Sequence, residues 1–197
     1  MRQGIERVGR VLADRALLPA RVVAAPDRAS RILAGATARV LDLPLVHWAG
    51  EETAEGLVTV WSMDAVGDAA FLQALKDHRP GQVLFVHASS WVDPFPYAPD
   101  VTTYLHQFVT NPYTGGALRV VEGETVRAEP DPRGDDALAD EIAASGDGDG
   151  SRSTIEHVLA VARAISGVEE VHRGFGRTFG PRLRARAGSP VRSSRFA

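Results

Sequence analysis

The chain contains no cysteine, a single lysine, and no apolar run of about 18 residues, the length needed for a membrane-spanning helix. The missing cysteines exclude disulfides, thiolate metal ligands and thiol nucleophiles. Residues 1–7 lack the apolar stretch of a secretory signal. We therefore expect a cytoplasmic protein that does not enter a membrane.

The length of 197 residues, with 44% hydrophobic and 24% charged content, fits one globular domain. Its hydrophobic core is large enough to be stable without disulfides or structural metals. We assign this domain to residues 1–171. Residues 172–197 form an arginine-rich tail with few core-forming side chains, which we expect to be irregular or docked onto the domain.

The formal net charge of -3 is unevenly distributed along the chain. Residues 122–150 carry ten acids and two arginines, whereas residues 172–197 carry seven arginines and no acid. These opposite charges suggest a homo-oligomer in which tails cross between subunits. The chain is acidic overall and shows no recognised nucleic-acid motif, which argues against nucleic-acid binding. Apart from Lys76 every basic residue is arginine, a bias typical of a GC-rich genome but also of phosphate or carboxylate recognition.

The order strand, helix, strand, strand, helix, strand predicts an α/β fold. We expect three layers, with a mainly parallel central sheet and helices on both faces, followed by a C-terminal hairpin and helices. A helix is predicted within residues 1–19, and Asp27 is expected to cap a second. The predicted strands of the sheet cover residues 21–25, 45–48, 57–61 and 83–88.

The second half of the chain carries further local signals. Asp100 is predicted to cap a short helix that continues to Phe108, and residues 118–128 are predicted to form a hairpin. A helix is expected from Asp135 or Asp136 to Ile142. Residues 145–151 have the composition of a flexible linker, after which Ser153 and Glu156 form a capping box for the last helix.

The first strand, helix and second strand, residues 22–48, resemble those of type I phosphoribosyltransferases. The likeness continues through residues 57–88, where that family has a strand, a loop that binds a phosphosugar, a helix and another strand. It implies that the loop grips a phosphate with backbone amides at a helix N-terminus. Ser62, Asp64 and Gly67 are then expected to border a nucleotide or phosphosugar.

The loop departs from the family pattern at the positions that carry the chemistry. When Gly67 is aligned with the family glycine, Trp61 and Ser62 replace the two acids that hold the ribose hydroxyls. Ala65 and Val66 replace the hydroxyl residues. The resemblance therefore implies a degenerate relative that lacks standard phosphoribosyl transfer, because a shared fold does not determine chemistry.

The carboxyl end of the fourth predicted strand supplies other candidates, since ligands bind at such ends in parallel sheets. His87 and Asp93 could act as catalytic acid or base, although His87 could equally be a hydrogen-bonded core residue. Ser89 lies beside them, and Trp91 and Tyr97 could stack on a ligand or simply fasten a long loop. No metal-binding spacing is present, and no cofactor is expected.

Three functions follow from these patterns. The first is a phosphoribosyltransferase-like domain that binds a nucleotide or phosphosugar. The second is a non-catalytic module for protein interaction or self-association. The third is a hydrolase that uses His87 and Asp93. The sequence leaves open whether the protein is an enzyme.

Overall fold

The computed structural model of the protein describes residues 1–50, 55–90, 96–106, 110–115, 118–121, 124–146, 152–166 and 180–182. Its centre is a five-stranded sheet in which all the described pairings are parallel. The strands are β1 (Val22–Ala24), β2 (Leu45–His47), β3 (Gly56–Val60), β4 (Gln82–Ser90) and β5 (Val101–His106). A separate hairpin joins β6 (Leu118–Val121) and β7 (Glu124–Arg127), which confirms the hairpin predicted there.

In the part of the chain that the structure describes, five α-helices accompany the strands, and their order along the chain follows the predicted alternation. They are α1 (Arg2–Asp14), α2 (Arg28–Leu41), α3 (Ala69–Ala74), α4 (Asp135–Ala144) and α5 (Arg152–Ser166). The strands of the sheet lie side by side in the order β2-β1-β3-β4-β5. From β1 the chain passes through α2 to one side, and from β3 it passes through α3 to the other. The strand order therefore reverses between β1 and β3, the position at which doubly wound sheets bind ligands.

One face of the sheet is covered by α1, α2 and α4. Ile5, Val8 and Leu12 recur at helical spacing in α1 and are buried in the same cluster as Ile32 and Leu33 of α2. The α4 side chains in this cluster are Leu138, Ala139 and Ile142. This face therefore contains the larger part of the core.

The opposite face is covered by α3 and by the connections that lead into β3 and β5. Phe71 and Leu75 are buried against Val58 and Val60 of β3 in a second cluster. Trp48, in the β2–β3 connection, packs edge-on against Phe71 with ring centroids 5.2 Å apart. Because both faces of the parallel sheet are covered, the predicted three-layer α/β fold is confirmed.

The helix predicted after Asp100 is wrong, because residues 101–106 form strand β5. Asp100 does not cap a helix. Its backbone N–H donates to the Leu84 carbonyl at 2.9 Å, and its Oδ2 accepts from the Leu84 N–H at 2.7 Å. These two bonds hold Asp100 beside β4 and continue into the β4–β5 pairing, so they favour an extended backbone.

Other local predictions are confirmed or lie outside the described residues. Asp27 caps α2 as predicted, with Oδ1 accepting from the Ser30 N–H at 2.9 Å. The first helix ends at Asp14, earlier than Pro19, and Ala16 then adopts a φ of 54°. The predicted linker centre at 147–151 and the Ser153 side chain of the capping box lie outside the described part of the structure.

Candidate functional site

The candidate site lies at the carboxyl ends of β1 and β3, where the strand order reverses. The loop after β1 leads through Asp27 into α2, and the loop after β3 runs through residues 61–68 into α3. The Trp61 N–H donates to the Ser30 hydroxyl at 2.8 Å, which fastens the end of β3 to the first turn of α2. The loop after β3 and the first turn of α2 are therefore joined by a buried hydrogen bond.

Asp27 has one carboxylate oxygen that the fold does not use. Its Oδ1 caps α2, whereas Oδ2 is buried and has no hydrogen-bond partner among the described residues. A buried acceptor without a donor is costly, so such atoms are normally satisfied by water, an ion or a ligand. Asp27 can therefore accept a hydrogen bond from a ligand hydroxyl or N–H. The sequence analysis recognised only the capping role of this residue.

Trp61 is a core residue and not a ligand-facing one. Its side chain is 4% exposed. It packs edge-on against Tyr113, with ring centroids 5.8 Å apart, and obliquely against His87 at 4.9 Å. The position at which the resemblance would require an acid is thus filled by an indole between two other rings. Ser62 is also buried, and its Oγ accepts from the Asp64 N–H at 3.4 Å.

Residues 62–68 use several of their own amides internally. The Ala65 and Val66 N–H groups donate to the carbonyls of Ser62 and Met63, which closes a 3-10 turn over Met63–Ala65. The carboxylate of Asp68 then accepts from the Phe71 N–H at 2.9 Å at the start of α3. Because Asp68 already places a negative charge at this helix N-terminus, a phosphate there would be repelled.

The same loop nevertheless leaves open space. A Cβ built at Gly67 would meet no heavy atom within 4 Å. Asp64, which the sequence analysis placed beside the ligand, is exposed in the 3-10 turn that precedes Gly67. Gly67 is therefore open to solvent, and the charged side chains of this loop, Asp64 and Asp68, are both acids.

His87 lies on β4 and is hydrogen bonded to the neighbouring strand. Its Nδ1 is 2.7 Å from the hydroxyl of Thr103. Burial lowers the pKa of His87 to about 4, helped by the positive charges of the chain's N-terminus and of His106. The lowered pKa favours the neutral imidazole near pH 7. This geometry fits the interpretation of His87 as a hydrogen-bonded residue at the border of the core.

Strand β5 adds a row of rings that the sequence analysis missed. The rings of His87 and Tyr104 lie 6.3 Å apart with an interplanar angle of 22°, and those of Tyr104 and His106 lie 5.9 Å apart at 17°. The alternation of Thr102, Tyr104 and His106 could have indicated a strand, but the capping signal of Asp100 favoured a helix. Ser89 is buried, and its hydroxyl lies 3.0 Å from that of Thr102.

The remaining candidates divide between described and undescribed positions. Tyr97 is partly buried and packs against the cluster on the α3 face. Trp91 and Asp93 lie outside the described residues, so the proposed pair of His87 and Asp93 stays a prediction.

Arg28 forms hydrogen bonds to two segments that lie beside α2. Its Nη1 donates to the Tyr113 carbonyl at 2.8 Å and its Nη2 to the Arg133 carbonyl at 2.6 Å. Its Nε lies 3.0 Å from Oδ1 of Asp135 in α4. Arg28 thus uses each of its three side-chain nitrogens to hold the segments around Tyr113 and Arg133 beside α2.

Within the described ranges, no group of three His, Asp or Glu side chains is placed to hold a metal ion. None of the described helices combines the length and apolar character needed to cross a bilayer. Comparison with known proteins adds no assignment, since no family model, curated protein or solved structure matches the chain.

Proposed function

We propose that this protein is a phosphoribosyltransferase-like domain that binds a nucleotide or phosphosugar, mainly through its sugar hydroxyls, and does not carry out standard phosphoribosyl transfer. The observation that carries the proposal is the unused, buried Oδ2 of Asp27 at the point where the strand order reverses. A carboxylate is a strong acceptor for hydroxyl groups. The open space at Gly67 lies on the other loop of the same edge.

The contacts of the loop argue against transfer chemistry. The Trp61 side chain is packed between Tyr113 and His87, so the first of the two family acid positions faces the core. The second position is held by Ser62, which is buried and bonded within its own turn. Without acids at these positions, nothing there can hold the ribose as the resemblance would require.

Calorimetry on the full chain tests the proposal with adenosine, AMP, ribose 5-phosphate, phosphoribosyl diphosphate and inorganic phosphate. We expect binding of ligands that carry a ribose and no binding of phosphate alone. The variant Asp27→Asn keeps a good helix cap but replaces the free acceptor with a donor, so affinity should fall by about tenfold or more. No heat from any ribose-bearing ligand at millimolar concentration would refute the proposal.

Asp42→Asn is the matched control. It makes the same charge change at the other end of α2, where Asp42 has a left-handed backbone that asparagine tolerates. Its affinity for the ribose ligands should equal that of the wild type. An assay of pyrophosphate release from phosphoribosyl diphosphate with free nucleobases should show no rate above that of the buffer.

Self-association is a second candidate function, and one observation favours it. Tyr104 and Leu105 are 48% and 65% exposed on β5, which is the outermost described strand on its side of the sheet. The segment Val101–His106 contains no proline, lysine, arginine or acid, the residues that usually protect an edge strand. Two copies could pair these edges around a two-fold axis. Light scattering should then give a dimer mass that Leu105→Lys reduces to that of the monomer.

A further inference from the structure

Arg182 is completely buried, although it belongs to the arginine-rich tail. Its side chain has 0% relative exposure. Nη1 lies 2.8 Å from Oδ2 of Asp100, and Nη2 donates to Oε1 of Gln82 at 2.9 Å. Gln82 is itself buried, and the Asp100 side chain is 9% exposed. Gln82 at the start of β4 and Asp100 just before β5 thus each accept a hydrogen bond from one terminal nitrogen of the guanidinium.

The backbone around Arg182 is also fixed by main-chain hydrogen bonds. The Arg182 N–H donates to the Lys76 carbonyl at 2.8 Å, and the His78 N–H donates to the Gly180 carbonyl at 2.8 Å. These bonds form an antiparallel bridge between Asp77 and Pro181. The segment 180–182 is therefore bound through its main chain and through one charged side chain.

The acceptors are fixed by the sheet itself. The Asp100 carboxylate that contacts Arg182 also accepts the Leu84 N–H at 2.7 Å, so its position depends on the β4–β5 pairing. Gln82 is the first residue of β4. The whole arrangement lies at the amino ends of these strands, opposite the edge that carries Asp27. It is consequently independent of the proposed function.

We propose that residues 76–82 and Asp100 form a recognition site for an arginine-bearing peptide segment, which the chain fills with its own residues 180–182. The main-chain bonds align the peptide antiparallel to the backbone at Asp77, and the pair of acceptors selects a planar guanidinium. Arginine at this position of the tail is thereby explained by binding geometry rather than by composition.

Chemical rescue of the full-length variant Arg182→Ala tests the site. The substitution removes the guanidinium that pairs with the buried Asp100 carboxylate, so the Tm should fall by about 10 °C. Methylguanidinium at millimolar concentration should bind in the vacated space and restore part of that loss. Methylammonium, which lacks the planar fork, should restore less.

Arg163→Ala is the matched control, because Arg163 pairs with Asp14 at the surface and is 61% exposed. Methylguanidinium should shift the Tm of neither this variant nor the wild type. The proposal would be overturned if methylguanidinium shifted the Tm of all three proteins equally. It would also be overturned if Arg182→Ala had the same Tm as the wild type.

Arg182→Lys covers the case in which the alanine variant does not fold. Lysine keeps the charge but cannot present two parallel donors to Asp100 and Gln82, so a lower Tm than that of the wild type is expected. Hydrogen exchange of the His78 amide should also accelerate, since this amide donates to Gly180. Wild-type stability with unchanged exchange would show that the guanidinium is not recognised.

Discussion

Oδ1 of Asp135 lies 3.0 Å from Nε of Arg28, and its other oxygen lies 2.9 Å from Nε of Arg31. A single α4 carboxylate therefore bridges two arginines of the first turn of α2. Burial raises the pKa of the Asp135 carboxyl, but the hydrogen bonds from Arg31 and Arg28 outweigh this effect and leave the pKa below its ordinary value. Asp135, Asp136 and Asp140 of α4 thus pair with arginines of α2, whereas Asp131 and Glu141 pair with Arg133.

Removing this bridge should destabilise the domain modestly. All three groups are roughly one-third exposed, so solvent screens the pairs and Asp135→Ala should lower the free energy of unfolding by about 1 kcal/mol. The neighbouring Asp136 pairs with Arg39 but is 89% exposed, and Asp136→Ala should cost less than half as much. Urea denaturation of both variants measures the difference. Equal losses would show that the bridge contributes nothing specific.

The close approach of α2 and α4 depends on Gly35. A Cβ at this position would lie 2.9 Å from the Ala139 Cβ, so Gly35→Ala must push the helices apart. We expect a loss of about 1 to 2 kcal/mol by urea denaturation, even though alanine is the better helix former. The double variant Gly35→Ala, Ala139→Gly should recover part of the loss, and failure to recover would place the strain elsewhere. Gly67→Ala, which meets open space, is the control and should be near neutral.

The elements predicted well from sequence are those whose signals are local. Asp27 followed by the apolar period of α2 specifies a capped helix, and the continuous apolar run of β4 specifies a strand buried on both faces. The same local reasoning failed for β5, since Asp100 resembles a helix cap. The partners of the Asp100 carboxylate are Leu84 and Arg182. Local sequence patterns cannot indicate a partner that lies 82 residues away.

The candidate site shows the same division. Parallel strands place their carboxyl ends at one edge, so the sequence alone indicates that edge, but the reversal of strand order between β1 and β3 required the structure. The buried position of Trp61 and the unused oxygen of Asp27 could not be predicted from the sequence. Both depend on how Tyr113, Ser30 and His87 pack around them.

Trp61 should behave as a core residue when substituted. Trp61→Ala removes a ring that contacts Tyr113 and His87, and it should cost about 3 to 5 kcal/mol in the free energy of unfolding. Trp61→Asp, which would introduce the acid of the resembled family, should cost still more because the carboxylate would be desolvated. Urea denaturation ranks these variants, with Trp61→Phe as the conservative control. A Trp61→Asp variant as stable as Trp61→Ala would mean that this position is open to water.

The pH dependence of stability should depend on His87. Its pKa is lowered by burial from the ordinary 6.5 to about 4, so between these values the unfolded chain binds a proton that the folded chain does not. The stability contributed by the neutral imidazole is therefore complete above pH 6.5 and is lost as the pH falls towards 4. The shift corresponds to at most about 3 kcal/mol.

Urea denaturation between pH 7 and pH 4 measures this contribution by comparing the wild type with His87→Gln. Glutamine retains a polar group opposite the Thr103 hydroxyl but does not titrate, so the variant should lose less stability over this range. His47→Gln, at an exposed position in β2, is the matched control and should follow the wild-type curve. Parallel curves for the wild type and His87→Gln would show that the His87 imidazole is as accessible to protons in the folded protein as in the unfolded chain.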